Sequence, residues 1–298
     1  MPNVIELAKQ FVPLLDETYQ NASLTSDLDG AAELARQGAN ANELIIPMLS
    51  MQGLADYSRN SGYVDGDVSL TNETVKCNFD RGRMFSVDTM DNLETAGIAF
   101  GRLAGEFIRT KVVPELDAFR FACYAGKSGI SKVATGATLA DGATVLKAIR
   151  AANDQMDEDE VPQEGRYLYI TPTLMGMVQD LDTTKSREVL SNFAKLVKVP
   201  QTRFYTAIEQ KSGKVTGSGD STVDETAGGY VKAAAAKDIN FMIIHKAAVI
   251  QFPKHIAPKI ITPEANQDAD AYKFGYRNVG IADLYQNKLA GVYLHHKA

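Results

Sequence analysis

Residues 43–92 constrain the fold more than any other segment, because they predict two long antiparallel strands joined by a turn. The first strand, over residues 43–59, is rich in apolar side chains, and Pro47 and Gly53 favour an edge or bulged strand over a central one. Turn-forming residues follow over 60–67. The segment therefore predicts an extended β-hairpin.

The second strand has a period-2 pattern over residues 75–88, which is typical of a strand with one apolar face. One phase is mostly apolar and comprises Val75, Cys77, Phe79, Phe85 and Val87. The other phase is polar and comprises Lys76, Asn78, Asp80, Ser86 and Asp88. Arg81 and Arg83 fall in the apolar phase, which is unusual for a simple solvent face and marks them as candidate contact residues.

The length of these strands raises the question of what they pack against. An arm of about 15 residues reaches roughly 50 Å at ~3.3 Å per residue. A compact domain of 298 residues has a radius of gyration of only about 19 Å. An isolated two-stranded hairpin is marginally stable in water, so a straight one needs an external surface, most simply a second copy of the chain. Alternatively, the arms bend and pack into a sheet of their own domain; the residues alone leave both interpretations open.

A long helix is predicted over residues 93–125, with Leu93, Phe100 and Phe107 in its apolar stripe. Pro114 falls inside this pattern, where it either kinks the helix or starts a second one. Further helices are predicted over 140–157, 172–180 and 186–197, strands over 166–171 and 203–209, an exposed loop over 211–229, and β-rich structure over 231–298. The fold class is therefore α+β.

Composition and charge argue against several classes of protein. Hydrophobic residues make up 45% and charged residues 23%, as in ordinary globular domains. The net charge is −6, whereas proteins that hold nucleic acid tightly have a basic face. The first residues lack the pattern of a signal peptide, and no apolar run approaches the ~20 residues of a membrane span.

We predict no catalytic, cofactor-binding or metal site. The four histidines, His245, His255, His295 and His296, have no zinc-binding spacing. Residues 125–128 resemble a phosphate loop, but Phe121 occupies the position of its first glycine. The acidic run over 154–160 lacks the alternating ligands of a calcium loop, and Cys77 and Cys123 form no metal or redox pair.

Three stretches resemble a known family of shell proteins. The segment from Val68 to Thr95, which runs directly into the predicted helix, resembles the second strand of the extended hairpin (the E-loop) in tailed-phage major capsid proteins of the Hong Kong 97 type. The stretches 272–283 and 287–294 resemble that family's C-terminal strands. In the order of its elements, the resemblance covers nearly the whole chain.

The resemblance implies a division of the chain into domains. Residues 1–42 would form an N-terminal arm and residues 43–92 the E-loop. The helical spacing of apolar residues predicts an amphipathic helix over 3–20, packed either on its own domain or on a neighbouring copy. Residues 93–164 and 246–298 would form a peripheral domain around a spine helix over 93–125. Residues 165–245 would form an axial domain, with the 211–229 loop near the capsomer axis.

The implied function is structural: pentamers and hexamers that close into an icosahedral shell around double-stranded DNA. The implied partners are further copies of the chain, a separate scaffolding protein, a portal and, without sequence specificity, the packaged DNA; no membrane is involved. The implied location is the virion, after assembly in the host cytoplasm. Two alternatives are an encapsulin-like compartment and a soluble enzyme with a scattered site.

Intersubunit contacts are expected from six residues. Arg81 and Arg83 are expected to meet carboxylates of a neighbour, since guanidinium groups suit desolvated interface pairs, or else to pair with Asp80 or Asp88 at the surface. The remaining contact residues expected are Phe79, Tyr57, Arg59 and Phe11.

Overall fold

The computed structural model describes residues 23–30, 36–37, 43–60, 62–90, 98–133, 135–181, 183–216 and 223–298. The predicted helix over 3–20, with Phe11, lies outside the described residues. The first residues of the predicted helix over 93–125 and the middle of the 211–229 loop also lie outside them.

The described strands, in chain order, are β1 Arg36–Gln37, β2 Glu43–Met51, β3 Val68–Lys76, β4 Phe79–Asp88, β5 Ser131–Lys132, β6 Arg166–Ile170, β7 Lys195–Lys198, β8 Ile208–Gln210, β9 Val215–Thr216, β10 Val223–Asp224, β11 Tyr230–Lys232, β12 Ile239–His245, β13 Val249–Ile261, β14 Ala271–Leu284 and β15 Val292–His296. The α-helices are α1 Ile98–Phe107, α2 Val113–Gly126, α3 Gly142–Glu158, α4 Pro172–Gln179 and α5 Thr184–Ser191.

A five-stranded sheet with the order β5-β15-β12-β6-β7 forms one layer of the molecule. β12 is central because both of its faces are apolar: Met242 and Ile244 pack on the side of α2, and Phe241 and Ile243 on the side of α3 and α4. A strand buried on both faces needs a hydrogen-bonded neighbour on each side, and β6 and β15 supply them antiparallel.

This sheet combines segments that the predicted division assigns to two different domains, and the domain boundaries themselves stay a prediction. Residues 131–132 and 292–296 were assigned to the peripheral domain, but β5 and β15 are part of the same sheet as β6 and β12. α3, also assigned to the peripheral domain, packs its apolar face on this sheet. The unit predicted over 165–245 is therefore completed by segments from before and after it.

A second, three-stranded sheet has the order β13-β14-β4. Its edge strand β13 carries Pro253 and Pro258, and an edge position tolerates residues that lack a backbone N–H. The other edge is β4, paired with β14 from Phe79 opposite Gly280 to Asp88 opposite Ala271. The prediction that 75–88 forms one arm of the hairpin is wrong for residues 79–88.

The hairpin itself is shorter than predicted. β2 pairs with β3 from Glu43 opposite Lys76 to Met51 opposite Val68, and β1 adds a short third strand beside β2. Between β3 and β4, the side chain of Asn78 donates to the carbonyl of Ala282 at 2.7 Å and accepts from its N–H at 3.1 Å. These two bonds join Asn78 to β14 where the chain passes from the hairpin to the second sheet.

The period-2 pattern is confirmed across this break. Val75 and Phe79 are buried and Phe85 is half-buried, whereas the polar phase is exposed. The apolar phase of β4 packs beneath the helix with Phe274 and Tyr276 of β14. This burial explains why β4 leaves the hairpin: a projecting arm cannot remove these side chains from water.

The predicted long helix is continuous at Pro114 within the described residues. α1 and α2 are joined by a π-helical turn over Ile108–Val112, in which the Val113 N–H donates to the carbonyl of Ile108. Pro114 lies in the first turn of α2, where a missing N–H costs no intrahelical hydrogen bond. The wider turn therefore accommodates the proline without ending the helix.

Three further predictions need correction. The helix predicted over 186–197 ends at Ser191 and β7 follows, because residues 195–198 pair parallel with β6. The strand predicted over 203–209 is a 3₁₀ turn at Gln201–Arg203 followed by β8. Within the predicted loop 211–229, β9 pairs with β10, and β8 and β11 pair around them.

A buried polar network ties the segment 23–30 to α2. The Asp117 carboxylate is completely buried and accepts hydrogen bonds from Ser23 Oγ (3.0 Å), Leu24 N–H (3.1 Å) and Thr25 Oγ1 (2.8 Å). Arg203 contributes an ion pair with Asp117 at 3.3 Å. A buried carboxylate is tolerated when it is paired and hydrogen-bonded in this way.

The same network extends to β13. Gln251 donates to the carbonyl of Thr25 and to Asp29, both at 2.7 Å, and accepts from the Tyr124 hydroxyl at 2.6 Å. Arg120 donates to Thr25 Oγ1 at 2.8 Å. Burial raises the pKa of Asp29, although the nearby Arg120 guanidinium opposes that rise.

We expect Asp117→Ala to lower the free energy of unfolding by about 3 kcal/mol, because it leaves buried partners without their acceptor. Urea unfolding of the unassembled chain measures this. The control is Asp154→Ala, which removes an exposed carboxylate 3.9 Å from Arg150 and should change the free energy by less than about 0.5 kcal/mol. Equal changes in the free energy of unfolding for the two variants would contradict a structural role for the network.

A second prediction concerns the contact between α3 and α4. A Cβ at Gly142 would lie 2.1 Å from the carbonyl oxygen of Met177, so Gly142→Ala should destabilise the fold by about 1–3 kcal/mol. Gly176, in α4 itself, has open space at the same position, and Gly176→Ala should stabilise by up to about 1 kcal/mol. Thermal unfolding measures both variants, and we expect the melting temperature to fall for Gly142→Ala and to rise for Gly176→Ala.

Candidate interaction surface

The hairpin projects from the body with its apolar side chains in solvent. Nine paired positions at ~3.3 Å each give it a length of roughly 30 Å. At its base, Val75 is buried against Ile250 and Ile281. Beyond that anchor, the exposed large side chains include Leu49, Met51, Leu54, Tyr57, Tyr63, Val64, Val68 and Leu70.

The tip of the hairpin, residues 52–67, has local order of its own. Ser58 and Gly62 exchange backbone hydrogen bonds at 3.2 and 2.8 Å, with Gly62 at a φ of +80° that favours glycine. The rings of Tyr57 and Tyr63, on either side of this bridge, pack with centroids 4.9 Å apart. Contiguous exposed apolar surface of this kind marks an interaction site.

Tyr57 and Arg59, two of the predicted contact residues, lie at this tip and are exposed. Sequence reasoning missed Leu54, Tyr63 and Val64, of which Leu54 is fully exposed and Tyr63 is 88% exposed. Apolar residues on both sides of a turn signal were the available clue. The contact of Tyr57 and Arg59 with another copy stays a prediction.

Arg81 and Arg83 have partners within the chain. Arg81 pairs with Glu115 at 2.8 Å and donates to the carbonyl of Gly229 at 3.2 Å. Arg83 donates to the carbonyls of Ala227 (3.2 Å) and Thr226 (2.8 Å). Neither pairs with Asp80 or Asp88 among the described residues, and Asp80 instead pairs with Arg277 at 2.6 Å.

The position of these arginines explains their place in the apolar phase of β4. Both side chains extend from β4 to the 226–229 turn and hold it against the body through hydrogen bonds to its backbone carbonyls. Phe79 is 3% exposed and packs on Phe119 with ring centroids 5.0 Å apart, so within this chain it is a core residue. Its contact with another copy stays a prediction.

A groove lies between β4, β14, the π-helical turn and the 226–229 turn, with a cavity of about 350 Å³. Its floor includes Phe79, Phe107 and Tyr276. Four basic side chains and one acidic one line it, namely Arg81, Arg83, Lys111, Lys211 and Glu115. We call it the basic groove.

The described residues contain no group of three His, Cys, Asp or Glu side chains placed to hold a metal ion. His295 stacks on Phe241 at 4.9 Å, and burial lowers its pKa to about 4. Burial raises the pKa of the Cys123 thiol to about 12, which keeps it unreactive. In the acidic run, Asp157 pairs with the buried Arg166 at 2.7 Å.

Within the same described ranges, no helix combines the length and the apolar character needed to cross a bilayer.

Comparison with known proteins identifies the fold. No protein-family model and no curated protein matches the sequence. Among solved structures, a chain of Gordonia phage Cozz matches with a TM-score of 0.57 at 12% identity, over 93% of this chain and 86% of that one. A capsid structure of cyanophage P-SCSP1u matches with a TM-score of 0.56 at 11% identity, over 88% and 85%.

A third match is a virus-like particle from Pyrococcus furiosus, with a TM-score of 0.53 at 10% identity, over 94% of this chain and 98% of that one. The mixed helix-and-sheet architecture of this chain is therefore similar to that of phage capsid structures and of this virus-like particle. More particularly, it is the fold of tailed-phage major capsid proteins, as the resemblance of the sequence predicted.

The hydrogen bonds between Arg83 and the 226–229 turn can be tested directly. Arg83→Ala removes two donors to backbone carbonyls, so we expect faster hydrogen exchange at the amides of 226–229. Mass spectrometry of the exchanged protein measures the rate. Arg277→Ala, which breaks the exposed pair with Asp80 on the same sheet, is the matched control and should leave those amides unchanged.

Proposed function

We propose that this chain is the subunit of a phage capsid and that its function is structural rather than enzymatic. The observation that carries the proposal is the fold, shared over most of the chain with capsid structures such as that of cyanophage P-SCSP1u. The projecting hairpin supports it independently, because its exposed large apolar side chains, which include Leu54, Tyr63 and Val64, favour a contact with another protein surface.

In this proposal the hairpin is the E-loop of a Hong Kong 97-type subunit and lies across a neighbouring copy. Such contact would cover its apolar side chains and the unpaired edge of β3, which otherwise invites uncontrolled strand pairing. The helix formed by α1, the π-helical turn and α2 would be the spine. The sheet of β4, β13 and β14 would belong to the peripheral domain, and the five-stranded sheet to the axial domain.

The assembly proposed is an icosahedral shell of pentamers and hexamers around double-stranded DNA. A separate scaffolding protein and a portal are the proposed helpers in the host cytoplasm, and the virion is the final location. Contact with DNA would be weak and independent of sequence, in keeping with a net charge of −6.

A second candidate is a protein compartment, similar to an encapsulin, that encloses a cargo other than a genome. The match to a virus-like particle from Pyrococcus furiosus favours it specifically. The two candidates share shell formation and differ in contents, so the nature of the enclosed material separates them.

Electron microscopy of the purified chain, expressed alone and with a scaffolding protein, tests shell formation. We expect capsomers or closed particles in at least one of the two preparations. A stable monomer in both would contradict the proposal.

The hairpin variant is a sharper test. Leu54→Asp with Val64→Asp places charges on fully and largely exposed positions, so the fold should be retained while particle formation is lost. Circular dichroism and sedimentation measure the two properties. The control is Leu196→Asp with Ala151→Asp, two exposed positions on β7 and α3 away from the hairpin and from the 211–229 loop, and normal assembly of the hairpin variant would contradict the assigned contact.

A further inference from the structure

The basic groove contains two polar side chains, Lys111 and Asn278, that are available to bind a ligand or a partner. Lys111 has no carboxylate partner in the described part of the chain, although it lies at the rim beside the Arg81–Glu115 pair. Asn278, which also lines the groove, is 2% exposed, and its Nδ2 has no hydrogen-bond partner among the described residues. A buried donor without an acceptor is unfavourable, so an incoming oxygen atom would stabilise the groove.

The hairpin tip has the complementary chemistry. Asp56, Asp65 and Asp67 against Arg59 give residues 52–67 a net charge of −2, whereas the side chains that line the groove have a net charge of +3. The exposed pair Tyr57 and Tyr63 offers aromatic surface and hydroxyl oxygens. No tip residue lines the groove in its own chain, within the ranges described.

We infer that the basic groove of one copy receives the acidic, aromatic hairpin tip of a second copy. The tyrosine pair lies on the apolar floor, the tip carboxylates meet Lys111, and an oxygen of the tip accepts from Asn278 Nδ2. The inference rests on the proposed function and adds the receiving site to it. Because the attraction is electrostatic, it weakens at high salt.

A charge-exchange experiment tests the pairing. We expect Lys111→Glu, and separately Asp65→Lys with Asp67→Lys, to lower the assembled fraction by about tenfold or more, since each places like charges together. Combining all three substitutions should restore assembly to near the wild-type fraction. Lys147→Glu makes the same change of charge at an exposed site on α3 and should leave assembly unaffected.

The outcomes separate this inference from the proposed function. If the wild-type chain forms no particles, the proposed function fails. If it assembles, and Lys111→Glu behaves like Lys147→Glu or the combined variant is no better than its parts, only the groove assignment fails. Normal assembly of Lys111→Glu with loss of bound DNA would show that the groove binds phosphate, which also overturns the inference.

A second measurement identifies the contact itself. Assembled particles containing equal amounts of nitrogen-15-labelled and unlabelled chains are treated with a carbodiimide, which joins a carboxylate directly to an amine. We expect a peptide containing Asp65 or Asp67 linked to one containing Lys111, with mixed labelling because the two come from different copies. Linked peptides with only matched labelling, or none, would overturn the inference.

Discussion

The carboxylate of Asp117 lies in the interior of the molecule, and the way it is satisfied decides how the rest of the chain is arranged. Its acceptor capacity is filled from the 23–30 segment and from Arg203, while Arg120, one helical turn further, reaches the same segment. A buried charge is stable only with such partners. One residue of α2 therefore fixes where the incoming segment crosses the helix and where the loop before β8 lies.

The long helix also contributes to two hydrophobic cores. Phe121 and Tyr124 pack against the five-stranded sheet, whereas Ile108, Val113 and Leu116 pack against the three-stranded sheet. A hydrogen bond from the Tyr124 hydroxyl to the Gln251 side chain connects the helix to β13. The two sheets are thus joined through this helix, and the hairpin is attached to the body through Val75 and the hydrogen bonds of Asn78.

Sequence patterns predicted much of this local structure and less of its pairing. The alternation over 75–88 was correct, but it continues in phase through Asn78, so it could not reveal that β3 and β4 belong to different sheets. Arg81 and Arg83 were rightly identified as unusual. Glu115, the ion-pair partner of Arg81, lies 34 positions away, and the backbone carbonyls that the two arginines contact lie about 145 positions away in a turn that no local pattern connects to β4. The tip was predicted as a turn, whereas the groove is formed by four distant segments that periodicity cannot bring together.

The order of strands has a consequence for biosynthesis. Among the described strands, β4 pairs with β14, and β12 lacks one neighbour until β15 exists, so both large sheets close through contacts between distant parts of the sequence. A nascent chain on the ribosome thus exposes the hairpin before the body that supports it is complete. The three-stranded sheet is complete only when residues 271–284 have been added, and the five-stranded sheet only when residues 292–296 have been added.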